Sequence, residues 1–351
     1  MLRLSVLDQS PIAEGGTGAE ALGNSLDLAR LTDALGYHRY WVAEHHGGPM
    51  LACASPEVLI GPIAAATQQI RVGSGGVMLP HYSPLKVAES FSMLAGLFGD
   101  RIDLAIGRAP GTDQRTMLAL QRDRSTPAPD DFPQQLAELL AYLDGELPAG
   151  HPFAGLARVL PGRPNVPAPW LLGSSPQSAL WAAELGLPYA FADFINAGGA
   201  PIADDYRARF QPSARLEHPR VAVGVWAVCA DTDEEAQRLA ASARMAFTLL
   251  RQGRLVPVPP VEKALRFLER QAAEPPPPGL PVRSPRRRTV VGSPETVREG
   301  LRAVAREYGA EEVMVVTITH DHAARRRSYE LIAQAFGLEA AAAEEGAAQV
   351  V

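Results

Sequence analysis

Cysteine is scarce in this chain of 351 residues, which has only Cys53 and Cys229. Two thiols cannot make a disulfide framework, and they suit a reducing compartment. Positive charge is not in excess, because the net charge is −6. A basic face for nucleic acid is therefore not implied. One dense basic run, Arg286–Arg287–Arg288, lies in a Pro-rich stretch and reads as a solvated loop. No apolar run is long enough to cross a bilayer, and Met1–Leu2–Arg3–Leu4 does not begin a signal-peptide core. These absences lead to the expectation of a soluble, cytoplasmic protein without membrane or nucleic-acid partners. No internal repeat is found.

What is present is alternation. Strand-like apolar runs occur at 2–7, 37–42, 70–78, 101–106, 170–172, 187–192, 221–228 and 313–318. Helical spacing separates most of them. Leu22, Leu26, Ala29 and Leu35 share one helix face, and Gly36 stops that helix. Ser55–Pro56, Ser83–Pro84, Ser175–Pro176 and Ser293–Pro294 each open a helix, with Ser at the N-cap and Pro at the first helical position. Strands separated by helices imply a parallel sheet with right-handed crossovers. Eight such units predict an α/β fold closed as a (β/α)8 TIM barrel with insertions. The rival is an open doubly wound sheet, but no G-x-G-x-x-G follows the first strand. One domain is expected over 1–338, with loop insertions at about 121–169 and 257–288. The Ala/Glu-rich segment 339–351 is expected to fray.

The unusual polar residues fall at the carboxyl ends of these strands, which is the catalytic face of a barrel. Glu44, His45 and His46 end the second strand, Gly75 and Gly76 lie near the end of the third, and Arg108 follows the fourth. Ser174, Ser175 and Ser178 follow the fifth, and Thr319 and His320 follow the last. The serines sit at a helix start, where free N–H groups and hydroxyls favour an anion. On their own they are better explained by simple capping by Ser175. Arg108 on the neighbouring strand end tips the reading toward phosphate. Gly75–Gly76 marks either a bulge that helps closure or a place where a flat ring lies against the strand. Adjacent histidines on a strand point to opposite sides, and the helical H-E-x-x-H spacing is absent, so metal is not expected. One imidazole should face the pocket as proton donor or base while the other packs behind it. His320–Asp321–His322 reads as a polar turn.

Several stretches together resemble the bacterial luciferase-like flavin-dependent monooxygenases. They are Leu7–Asp8–Gln9–Ser10–Pro11, Tyr40 through His46, Ile70 through Pro80, and Gly107–Arg108–Ala109–Pro110–Gly111. The closest likeness is to single-chain oxidoreductases that include natural-product tailoring enzymes. The resemblance implies a barrel binding reduced FMN, often as a homodimer, with the flavin supplied by a separate reductase. It implies that O2 adds to the flavin to give a 4a-hydroperoxide, which oxidises an organic substrate. In the catalytic roles it implies, His45 matches the family's active-site histidine, within the Glu44–His45–His46 group. Gly75 and Gly76 fall where the family often has a non-prolyl cis peptide beneath the flavin. Arg108, Ser174, Ser175 and Ser178 match its phosphate site. Luciferase has a carboxylate at the position of Ser174 and a cysteine at that of Gly107, so light emission is not expected here. A deazaflavin-dependent dehydrogenase on the same barrel is the alternative enzyme, and a flavin-binding barrel without catalysis is the non-enzyme alternative. The segment 275–288 is read either as a lid over the site or as a surface linker.

Overall fold

The structure, a computed structural model, describes residues 2–108, 112–126, 130–148, 150–273 and 289–338. The Ala109–Pro110–Gly111 part of the fourth-strand motif, the segment 275–288 and the tail 339–351 lie outside the described residues. The first half of the chain alternates β1 (Arg3–Asp8), α1 (Gly18–Ala34), β2 (Arg39–Val42), α2 (Pro56–Ala66), β3 (Arg71–Met78), α3 (Pro84–Phe98) and β4 (Ile102–Gly107). An excursion then carries α4 (Gln114–Leu120) and α5 (Phe132–Asp144). The second half runs β5 (Ala168–Gly173), α6 (Pro176–Glu184), β6 (Tyr189–Ala192), α7 (Ala200–Arg209), β7 (Val221–Cys229), α8 (Asp233–Arg251) and α9 (Val261–Ala273). It closes with β8 (Thr289–Gly292), α10 (Pro294–Tyr308), β9 (Glu312–Val316) and α11 (His322–Phe336).

Every strand pairing is parallel. Strands β1 to β6 follow one another, β6 pairs β7, β7 pairs β9, and β9 returns to β1. Eight strands thus close into a barrel with helices around it, as the alternation predicts. The ninth strand, β8, is a departure. It pairs with the outer end of β7, from Trp226↔Thr289 to Cys229↔Gly292, and stands outside the closed ring. Four residues are too few to show a period, and Gly292–Ser293–Pro294 reads more strongly as a helix start. Helix α9 also falls inside the stretch read as a loop insertion. Its apolar positions Val261, Ala264, Leu265 and Leu268 do carry helical spacing, but the prolines before them hide it.

Local chemistry sets most of the ends. Gly36 takes φ +80°, a conformation that only glycine adopts freely, and it stops the first helix. Ser175 caps α6 through its hydroxyl. Ser55, Ser83 and Ser293 hold the same position but make no side-chain cap bond, so Pro at the first helical position marks those starts instead. On α10 the stripe Val297, Leu301, Val304 and Tyr308 is buried against the sheet. Each such side chain contributes about 1.5–3 kcal/mol.

The amino end of the barrel is plugged by charge. Arg39 of β2 donates through Nη1 to Asp103 of β4 and through Nε to Glu312 of β9, each at 2.5 Å. Arg71 adds a bond to the other Asp103 oxygen at 2.6 Å, and the Ser5 hydroxyl donates to Glu312. Trp170 and Trp41 cover the Arg39 guanidinium at 4.8 and 5.5 Å. Burial opposes the charge on Arg39, but the two carboxylates outweigh it and hold its pKa above the ordinary arginine value. With this end filled, open space is left at the carboxyl ends of the strands.

Candidate active site at the carboxyl face of the barrel

A cavity of about 610 Å³ lies there, large enough for a cofactor-sized ligand. Its walls are mainly apolar and include Trp41, Met78, Leu172, Phe194 and Met314. Polar groups enter from three sides.

The first side is the end of β2. Glu44 is 1 % exposed, and its carboxylate is fully engaged. Oε1 contacts His46 Nε2 at 2.7 Å and accepts the Tyr82 hydroxyl at 3.1 Å, and Oε2 accepts the Met78 amide at 2.9 Å. Glu44 therefore ties the β2 end to the β3 end. His45, like Glu44, borders the cavity. Its backbone N–H donates to the Cys53 carbonyl, but its ring Nδ1 is buried without a partner. Burial, reinforced by neighbouring His46, pushes the His45 pKa down to about 4. The ring is therefore neutral at pH 7 and can accept a proton or share one by hydrogen bonding. Of the adjacent histidines, His45 borders the cavity and His46 is held by Glu44.

The second side is β3. The Gly75–Gly76 peptide is cis, and the register to β4 shifts between Gly75 and Val77. Gly75 borders the cavity, whereas Gly76 is not among the lining residues. A Cβ on Gly76 would come within 2.6 Å of the Ala105 carbonyl oxygen, and one on Gly75 within 2.9 Å of Trp41 Cβ. Protein packing alone thus demands glycine at both positions.

The third side joins β4 to β5. Arg108 Nη2 meets both oxygens of Asp130, at 2.7 and 3.0 Å, and its guanidinium lies 5.6 Å from the Trp181 ring centre. Ser174, Ser175 and Ser178 border the cavity close to this corner. Ser175 Oγ accepts the Ser178 amide at 3.4 Å, so it does cap the helix. The Ser178 hydroxyl donates to the Ser175 carbonyl at 2.8 Å and lies 2.9 Å from the Tyr189 hydroxyl. The Ser174 carbonyl accepts from Asn196, and its hydroxyl has no protein partner among the described residues.

Thr319 and His320 do not join this cavity. Thr319 bonds the Asp321 carbonyl, and His320 contacts the Glu14 carbonyl at 3.2 Å. Among the described residues no three His, Cys, Asp or Glu side chains are placed to share a metal ion. Sequence reasoning missed Gln9, Asp130 and Trp181. Gln9 ends β1 and borders the cavity, so its strand-end position was the available signal. It is held in place from both sides. Asp8 accepts the Ser10 amide at 2.7 Å, the Tyr40 hydroxyl at 2.6 Å and buried Arg325 at 2.5 Å. Asp130 and Trp181 carry no such signal.

Over residues 2–312 the chain matches the sequence profile of the luciferase-like monooxygenases. The chain belongs to that family. It is 46% identical over 345 residues to the Bacillus subtilis (strain 168) protein YwcH, covering 96% of this chain and 99% of that one. It is 43% identical over 336 residues to the luciferase-like monooxygenase of Escherichia coli (strain K12), covering 94% and 96%. It is 38% identical over 339 residues to the N-acetyl-S-alkylcysteine monooxygenase of Bacillus subtilis (strain 168), covering 95% and 98%. Among solved structures, apo-MsnO8 is 46% identical with a TM-score of 0.86, covering 96% of this chain and 99% of that one. Two more distant structures share the luciferase-like fold alone. One is the FMN complex of the oxygenating constituent of 3,6-diketocamphane monooxygenase from Pseudomonas putida (TM-score 0.71, 19% identity, 95% and 97% covered). The other is an F420-dependent secondary alcohol dehydrogenase (TM-score 0.62, 12% identity, 95% and 98% covered). The protein is thus an oxidoreductase of the luciferase-like class, built on the barrel that its alternation predicts.

Proposed function

We propose that this monooxygenase takes reduced FMN from a separate reductase and uses it with O2 to oxidise a small organic molecule. The observation that carries the reading is a single cavity bordered at once by His45, Gly75, Arg108 and the serines at the start of α6. That donor set suits FMN. A guanidinium and hydroxyls at one rim match a phosphate, apolar walls match a flat ring system, and a buried imidazole nitrogen lacks a partner. Reduced FMN, when bound, supplies the electrons that activate O2, one oxygen atom going to the substrate and the other to water.

The chain's own residues would do the rest. Arg108 and the hydroxyls of Ser174, Ser175 and Ser178 hold the phosphate, and Gly75, backed by Gly76, borders the space for the ring. Neutral His45 hydrogen-bonds at the reacting side and carries a proton there. Glu44 keeps the ends of β2 and β3 in register around it. Trp41, Met78 and Phe194 exclude water, which would otherwise divert the reduced flavin and oxygen to hydrogen peroxide. We take 1–338 as one barrel domain acting as a cytoplasmic homodimer. The deazaflavin reading rests on shared fold at 12% identity, against 38% identity to a relative named as a monooxygenase.

Anaerobic titration with reduced FMN, then mixing with O2 under an absorbance readout, tests the reading. Saturable uptake and a transient spectrum after O2 are expected. Absence of FMN uptake in equilibrium dialysis, or turnover with reduced deazaflavin in preference to reduced FMN, would refute it.

A further inference from the structure

Arg108 is the only lysine or arginine bordering the cavity among the described residues, and its Nη2 is already held by Asp130. Asp130 and its neighbour Asp131 both border the same cavity, and Asp130 is the one paired with the guanidinium. Asp131 precedes α5 but makes no side-chain cap bond. The Arg108 and Asp130 side chains are 47% and 72% exposed, so their pair is solvated and exchangeable. Trp181 steadies the guanidinium at 5.6 Å, which leaves Asp130 as the partner that can move away.

We propose that Asp130 competes with the cofactor phosphate for Arg108 and thereby sets how strongly the site prefers a phosphorylated flavin over an unphosphorylated one. This inference rests on the FMN reading above. A phosphate dianion arriving at Arg108 meets a carboxylate already in place. It must displace that carboxylate before it can pair with the guanidinium. Riboflavin has no phosphate and leaves the Arg108–Asp130 pair intact. Asp130 therefore weakens FMN binding selectively. A weakened hold suits a flavin that must arrive reduced and leave oxidised at each turnover.

Flavin fluorescence titrations of the full chain with oxidised FMN and with riboflavin test this, using wild type, Asp130→Asn, Arg108→Ala and the double variant. Asp130→Asn should tighten FMN roughly two- to fivefold, the worth of an exposed ion pair, and leave riboflavin unchanged. In the Arg108→Ala background the same substitution should bring no gain, because there is nothing to compete for. Equal tightening of FMN with and without Arg108 would show simple repulsion and overturn the competition. Equal tightening of FMN and riboflavin, or no tightening of FMN, would overturn it as well. A wild-type protein that binds FMN no better than riboflavin would instead remove the phosphate assignment on which this inference stands.

Discussion

Glu44 and His46, two residues apart just past the end of β2, face each other at 2.7 Å, and His45 between them borders the cavity. Glu44 also accepts from Met78 and Tyr82, whose phenol is pushed up first by burial and then by the Glu44 charge, so Tyr82 stays a donor. Replacing Glu44 with Ala would take the carboxylate partner from one buried group, the Met78 amide, and from two partly buried ones, His46 and Tyr82. A loss of about 2–4 kcal/mol in urea denaturation is expected, with Glu44→Gln recovering roughly half. A change below about 0.5 kcal/mol would mean that the β2–β3 tie is not structural.

His45 has a separate role. His45→Ala should lower the rate of substrate oxidation by about 10²–10⁴, the usual worth of a positioned proton carrier. Its affinity for FMN should stay within about twofold of wild type. Unchanged turnover, or a parallel loss of flavin binding, would count against a proton-handling role.

The depressed pKa of His45 also ties stability to pH. Unfolded, its ring takes a proton near the ordinary 6.5, whereas folded it does so only near 4. Between these values the unfolded chain carries more protons, so stability falls as pH drops from about 6.5 to 4 and levels off below. His38, half-buried beside Arg39, is lowered to about 4 as well, by burial first and then by the Arg39 charge, and acts in the same window. Urea midpoints across pH 4–7 should show this slope, and His45→Gln should flatten it by up to about 3 kcal/mol. An unchanged slope in the variant would contradict the assignment.

At the amino end, Asp103→Asn would leave Arg39 and Arg71 short of a buried counter-charge. About 3–5 kcal/mol should be lost in urea denaturation, because breaking one partner of a buried ionic cluster strands the others. Flavin affinity should fall far less than stability, since the cluster lies below the cavity floor.

The fold was legible because parallel strands buried on both faces read as continuous apolar runs, as in Val221–Cys229, and glycines such as Gly36 mark the stops. The strand-end polar residues were legible for the same reason. The strand fixes their position, and their chemistry is out of place in an apolar run. What stayed hidden depends on distant partners. Arg39 and Glu312 are 273 positions apart, and each alone reads as an exposed charge at a strand start. Asp130 lies in a loop with no period to place it, so its grip on Arg108 could not be foreseen. Ser175 and Ser178 show both sides of this. Their capping was readable from Ser–x–x–Ser at a helix start, but the Tyr189 hydroxyl that meets Ser178 was not.

Trp41 serves two masters. One part of its side chain forms the cavity floor, and its indole N–H donates to Asp103 at 3.0 Å in the plug beneath. Recognition and foundation therefore share a single wall in this molecule. Engineering that enlarges the chamber at Trp41 would loosen the base of the barrel with it. Met117 and Ile195 border the same chamber without reaching the plug, so they are the places where appetite for new molecules can be rewritten while the scaffold stays sound.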